Sequence, residues 1–310
     1  MKEFVKHVGL GFLFALLVIL TLEVYQSKVN NNEYLSKYKY MEDNSANIKT
    51  LILGNSLMEN SINPHLLGDS VFDLAISARW IYYDKELLER YIVKSPNLKN
   101  VIFGMGYAVP FWRSYHFPEE NEACANEQPD YVAYQKYMYE KFMRIRYDRL
   151  PYYYWFGFAR GFIDKESLFG TDSIPMQETL GYVPVSGQLE DWETIHNINP
   201  DIIFNPHAEA QIAEYMEYLR EMARLCQLYK VRFIVITPPC HDSYNVNVKQ
   251  EGLDILNRLV AEIQSEYPME YQNYLQDEEF RTDSLYYNCS HLNSVGADML
   301  ALRVRKDFGL

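Results

Sequence analysis

From Ile48 onward, short apolar runs alternate with stretches of helical period. Ile48–Leu53, Val71–Ile76, Val101–Met105, Val231–Ile236 and Met269–Tyr274 each read as a strand. Tyr83–Val93, Gly252–Glu266 and a closing stretch from Asn293 read as helices. So does a long segment opening at Asn205-Pro206, which carries Ile212, Tyr215, Leu219, Met222 and Cys226 on one face. Strands without a polar face must be covered on both sides, and strand–helix alternation supplies that cover. The pattern therefore predicts an α/β domain with a parallel sheet sandwiched between helices. Ligands of such sheets sit at the carboxyl ends of the strands. That places Asn55-Ser56, Ser77-Ala78, Gly106-Tyr107, Cys240-His241 and the loop of His291 on one rim. An insert, 107–205, interrupts the alternation and contains the aromatic run Tyr152–Phe158 (YYYWFGF). That run fits internal packing, a sugar-stacking platform or contact with a membrane surface.

The chain before Ile48 differs in kind. Val8–Leu22 holds no charge, with Lys2 and Lys6 before it and Glu23 after it. The run reaches about 22 Å as a helix and comes close to a full span with its apolar flanks and snorkelling ends. A cleaved secretory signal has an apolar region of this length too, but no small-x-small site follows Leu22. The reading is a signal anchor over 1–25 and a polar, Asn-rich stalk over 26–47, followed by the α/β domain over 48–310. The flanking lysines predict a single-pass protein of the cytoplasmic membrane, its N-terminus in the cytoplasm and its domain periplasmic or otherwise extracytoplasmic.

The 310 residues are 48% apolar and include only 14 Gly and 13 Pro, which excludes a disordered or low-complexity chain. A net charge of −13 argues against nucleic acid as a partner and against docking on anionic lipid heads. The 27 tyrosines suit a carbohydrate-facing protein and equally an ordinary core. The 4 cysteines, Cys124, Cys226, Cys240 and Cys289, form no C-x-x-C motif. Cys240 and Cys289 follow strand ends near one rim and are the pair to join in an oxidising compartment; small apolar fillers is the other reading. The histidines show no metal-ligand spacing and no Gly-rich phosphate loop is present, so neither a metal nor any other cofactor is expected.

Chemistry concentrates in two blocks. In Leu51-Ile52-Leu53-Gly54-Asn55-Ser56-Leu57, a serine follows a buried strand on a tight turn that opens a helix. Backbone N–H groups at that helix start can face a developing oxyanion. A serine needs a base within reach, and the candidate is His291, just before the last helix. His241-Asp242, after the Val231 strand, is a rival base. Each block also has a plain reading: a strand-ending turn for Gly54-Asn55-Ser56, and a packing or capping role for His291.

The two blocks together resemble the SGNH hydrolase superfamily, the GDSL-like lipases and esterases, in its membrane-anchored Bacteroidetes type. Gly54-Asn55-Ser56 is similar to the family's Gly-Asp-Ser turn, and His291-Leu292-Asn293-x-x-Gly296-Ala297 to its terminal block. The resemblance implies a flavodoxin-like sheet with Ser56 as nucleophile and His291 as general base. It places Asn288 where the family has its orienting Asp, with Asp283 as the nearest upstream carboxylate and a substitute acid. It implies an oxyanion hole from the backbone N–H groups of Ser56 and Ala78, the latter in place of a glycine. The family's third block falls on Gly104-Met105-Gly106-Tyr107, with no Asn to bind the oxyanion. The implied activity is ester hydrolysis or O-acyl transfer on acyl, chiefly acetyl, esters of envelope or capsular polysaccharide. The departure at 288 and the missing third-block Asn motivate an alternative, a non-catalytic glycan-binding or scaffold protein on a degenerate form of the same fold. A membrane assembly subunit that uses Val8–Leu22 to pack on a partner is a third.

Overall fold

The computed structural model describes residues 1–28, 32–68, 70–111, 136–146, 175–187 and 208–310. The helices are α1 (Lys2–Lys28), α2 (Glu33–Asn44), α3 (Ser56–Glu59), α4 (Pro64–Leu67), α5 (Ile81–Ile92), α6 (Met176–Thr179), α7 (Glu209–Tyr229), α8 (Asp242–Asn245), α9 (Gln250–Glu266) and α10 (Ser294–Phe308). The strands are β1 (Thr50–Leu53), β2 (Val71–Asp73), β3 (Asn100–Gly104), β4 (Arg232–Thr237) and β5 (Met269–Asn273). Residues group into two compact units: Met1–Lys39 with Gln128–Ile174, and Tyr40–Glu127 with Pro175–Leu310.

In the first unit, α1 contains a 20-residue stretch, Lys2–Thr21, with mean hydropathy 2.1 and none of it buried. It is long and apolar enough to cross a membrane. Early in α2, Lys37 Nζ is 2.8 Å from Glu33 Oε1 in an i, i+4 pair, and the Tyr34 ring meets Tyr139 edge-on at 5.1 Å. The stretch expected as a stalk, 26–47, is therefore partly a packed helix. Tyr34 and Leu35 are buried, and they are diluted in sequence by the surrounding Asn and Lys residues.

The second unit is the α/β domain. Its five strands are all parallel, in the order β2-β1-β3-β4-β5. This is a doubly wound order in which the chain reverses direction between β1 and β3, the place where such sheets open a crevice. Ile52, Ile102, Ile234 and Ile236 share one face with Leu300, Ala301 and Val304 of α10. By alternation Leu51, Val101, Phe233 and Val235, all at most 1% exposed, turn to the other face. On that side α7 packs on α5 and β4, with Trp80 edge-on to Tyr215. β2 stops at Asp73, three residues short of the apolar run, because Asp73 Oδ1 accepts the Ala75 N–H at 2.8 Å and turns the chain. The start of the long helix at Asn205-Pro206, the aromatic run Tyr152–Phe158 and Cys124 lie outside the described residues.

Two glycines let β1 and β3 close over a single methionine. A Cβ on Gly104 would lie 2.0 Å from Met58 Cγ, and one on Gly54 2.7 Å from the same atom. Met58 is fully buried, so neither it nor the strands have room to yield. Gly104→Ala is expected to cost about 1–3 kcal/mol by overpacking. Thermal unfolding of the variant should show a fall of several degrees, and an unchanged midpoint would mean that Met58 repacks freely.

Candidate active site

Ser56 is positioned by the way β1 ends. Gly54 has φ 136, a conformation that side-chain-bearing residues rarely adopt. Its N–H donates to Asp84 Oδ1 at 3.0 Å, and its carbonyl accepts from the Ile76 N–H at 3.2 Å, so the turn is held from both sides. Asn55 caps α3 by accepting the Leu57 N–H at 3.0 Å. The helix predicted after this turn is a single turn, so it offers local N–H groups rather than a long macrodipole. Ser56 itself is half-buried, and its N–H has no acceptor among the described residues.

His291 comes from a narrow hairpin ahead of α10. Tyr286 and Leu292 form an antiparallel bridge, and the Tyr287 N–H donates to His291 O at 2.9 Å. Across the turn, Asn288 Oδ1 accepts the N–H groups of Ser290 at 3.0 Å and His291 at 2.9 Å. Backbone N–H groups only donate, so the atom they meet must be the amide oxygen and not its nitrogen. The same oxygen lies 2.9 Å from His291 Nδ1. Nδ1 therefore carries the proton, and Nε2 presents a lone pair. Ser56 Oγ stands 2.8 Å from that Nε2, well placed to donate its hydroxyl hydrogen. Desolvation pushes His291 down to about 4, so the ring is neutral at physiological pH. A neutral imidazole that accepts from a serine hydroxyl can take its proton as Oγ attacks an electrophile. The sequence-derived trio Ser56, His291 and Asn288 is thus brought together in one line.

A strap within the insert, residues 180–187, ties the two halves of this line. The Leu180 carbonyl accepts the Asp73 N–H at 2.8 Å, beside the β2 edge. Asn60, just past α3, donates from Nδ2 to Val183 O at 3.0 Å. Val185 O then accepts the Ser294 N–H at 2.8 Å and its hydroxyl at 2.9 Å, and Gly187 O accepts from Asn293 Nδ2 at 3.1 Å. Residues 180–187 thereby bind the element bearing Ser56 to the cap of α10, next to His291. Gly181 has to be glycine here, since a Cβ would fall 2.0 Å from Asp73 O.

Two buried acids near Ser56 escape a sequence reading. Asp84 is desolvated and pushed up to about 6, despite Arg79 Nη1 at 3.0 Å and the Gly54 N–H. It joins the turn after β1 to the loop after β2. Glu59, three residues after Ser56 and 3% exposed, accepts a short hydrogen bond from the Ser77 hydroxyl. It thereby holds the segment leading to Ala78. Asp84 had a signal, since Leu87, Leu88 and Tyr91 at i+3, i+4 and i+7 mark its helix face as the buried one. Glu59 had none.

The remaining expected residues fall as follows. Ala78 has φ 53, the left-handed region in which a glycine would carry no Cβ strain. Asp283 does not serve His291. Its Oδ1 lies 2.8 Å from His241 Nε2, because the hairpin turns His291 toward Ser56 while Asp283 faces the exit of β4. His241 Nδ1 accepts the Ser243 N–H at 3.1 Å, so this ring donates from Nε2 to Asp283 and caps α8. The rival base is thus engaged by its own partners and has no recorded contact with Ser56. In the third block Gly106 stands where the resemblance expects the oxyanion-binding Asn; the next residue, Tyr107, is 1% exposed, and its hydroxyl accepts the Lys249 N–H at 3.0 Å and donates to Lys249 O at 3.3 Å. Cys240 and Cys289 are buried free thiols in one apolar cluster, and burial pushes both up. Among the described residues, no group of three or more His, Cys, Asp or Glu could hold a metal ion. Compared with known proteins, the chain matches no family model and no curated protein.

Proposed function

We propose that this chain is a membrane-anchored, SGNH-like serine esterase or O-acyltransferase. On this reading it acts on acyl, chiefly acetyl, esters of envelope or capsular polysaccharide, with its domain on the extracytoplasmic side of the membrane. The observation that carries the reading is the 2.8 Å approach of Ser56 Oγ to the lone-pair nitrogen of His291, with Asn288 fixing the tautomer from behind. The two sequence blocks that resemble the SGNH superfamily and the doubly wound strand order support it. Ser56 Oγ attacks the acyl carbonyl carbon as its proton passes to His291 Nε2. The tetrahedral oxyanion is met by the Ser56 and Ala78 N–H groups, then collapses to acyl-Ser56. The sugar oxygen leaves with the proton from His291. Water attacking acyl-Ser56 completes hydrolysis, and a second sugar hydroxyl in its place completes acyl transfer.

A second reading is a glycan-binding or scaffold protein on a degenerate SGNH fold. It draws on an uncharged residue, Asn288, behind the imidazole and on Gly106, which has no side chain to offer where the third block would carry an oxyanion-binding Asn. Covalent labelling separates the two without a guess at the substrate. The full chain in detergent is treated with a fluorophosphonate and read by intact mass. The enzyme reading expects one adduct, formed with loss of fluoride, absent from Ser56→Ala and strongly slowed in His291→Ala. A folded parent that gains no mass would establish the binding-protein reading instead.

A further inference from the structure

The carboxyl edge of the sheet carries a concavity beside β5 whose lining does not include Ser56. Its volume is about 330 Å³, at the small end of the range for ligand pockets. The two walls are alike in chemistry. One face of α9 supplies Gln250, Leu253 and Asn257 at i, i+3 and i+7. The exit of β5 supplies Asn273, Leu275 and Gln276. Each wall is therefore two carboxamides and a leucine. Both leucines belong to the apolar cluster beneath, around Tyr107 and Cys240, and make an apolar floor.

Most of the amide capacity is unspent. The side-chain amides of Asn257 and Gln276 make no hydrogen bond among the described residues. Gln250 uses one N–H on Asp254 at 2.9 Å and keeps its carbonyl oxygen. Asn273 accepts the Leu275 N–H at 2.9 Å and keeps its NH₂ group. The charged lining residue, Asp277, has Arg303 at 3.7 Å to offset it. The cleft thus presents neutral donors and acceptors around an apolar floor. A neutral sugar ring has the matching surface, with C–H faces that favour leucine and hydroxyl edges that both donate and accept. An anionic ligand would meet Asp277 and no lining cation.

The register sets the distance. Asn273 ends β5 opposite Thr237 of β4, and Ser56 follows the end of β1 on the same edge. From β1 to β5 is three strand spacings, about 14 Å. We propose that this cleft binds a neutral saccharide unit of the same glycan chain whose acyl ester meets Ser56. The substrate is then an oligomer or polymer, not a small ester. The proposal rests on the acyl-glycan reading for its link to Ser56.

The test uses the full chain in detergent micelles and calorimetric titration with neutral hexasaccharides of glucose, N-acetylglucosamine and xylose, and with an uncharged decapeptide. At least one hexasaccharide is expected to bind. Its affinity should fall about tenfold in Asn257→Ala/Gln276→Ala, as loss of two surface-cleft hydrogen-bonding groups implies, and stay the same in Ser56→Ala. Both mutated side chains are solvent-exposed, and circular dichroism verifies the fold of the variant. Binding by no hexasaccharide, equal binding to parent and double variant, or binding of the decapeptide in their place overturns the proposal. Fluorophosphonate labelling run alongside separates the two ideas. Saccharide binding without labelling keeps the cleft and removes acyl-Ser56, whereas labelling without saccharide binding removes the cleft alone.

Discussion

His291→Ala is expected to slow modification of Ser56 by about 10²–10⁴-fold, the usual worth of a positioned general base. The parent's pH profile should carry the mark of its environment. Only the neutral ring can accept the serine proton, and desolvation holds the ring near 4. The protonated fraction therefore falls as pH rises through about 4, and the labelling rate climbs with it. From pH 5 to 8 the rate should be flat with respect to this group, where a solvated histidine would still be titrating near 6.5. Intact-mass kinetics at single pH steps, with circular dichroism at each, give the profile. An acid limb centred near 6.5 would show that water reaches the ring and that the 2.8 Å contact to Ser56 is not its resting state. The same desolvation makes His291 a weak base, always available and seldom eager.

Asn288→Asp should do the opposite, accelerating Ser56 by about 10²-fold near neutral pH. The replacement is isosteric, and the position already receives two backbone N–H groups and Nδ1–H within 3.0 Å. What it adds is a negative charge behind the imidazole, which stabilises imidazolium and raises the pKa of His291. The reverse change in a serine–histidine–aspartate system costs about 10⁴, part of it from presenting the wrong tautomer. Here the amide oxygen already enforces the right tautomer, so the gain is limited to the charge. The acid limb of the labelling profile should move upward from pH 4 together with the rate. A rate unchanged by the aspartate would mean that no imidazolium forms in the slow step, and would favour the binding-protein reading.

The strands and the long helices are legible in sequence because their apolar runs and periods are uninterrupted. Thr50–Leu53 and Arg232–Thr237 fall within a residue or two of their expected ends. The packed part of 26–47 is not legible by composition, since Asn and Lys obscure Tyr34 and Leu35. Ser56 and His291 are readable because one follows a strand end and the other precedes a helix start, where topology confines them, whereas Asn288 follows only from the resemblance of the terminal block. Asp283 misleads for the converse reason. Nearness in sequence to His291 says nothing about which side of a hairpin a carboxylate faces, and it pairs with His241. Glu59 and Asp84 are acids in helices, ordinarily solvent-facing, and only their burial against the turn after β1 reveals what they hold.

The hydrogen bond between Ser56 and His291 joins residues 235 positions apart. A contact of that span closes only after the intervening sheet has assembled, since each loop must be shut before its contacts stabilise anything. During synthesis the serine emerges long before its histidine, and it has no partner until the final hairpin and α10 have docked. A chain interrupted before that point would hold a folded-looking β1 turn with an inert hydroxyl. On the enzyme reading, reactivity would be the last property this protein acquires and, if α10 frays, the first it loses.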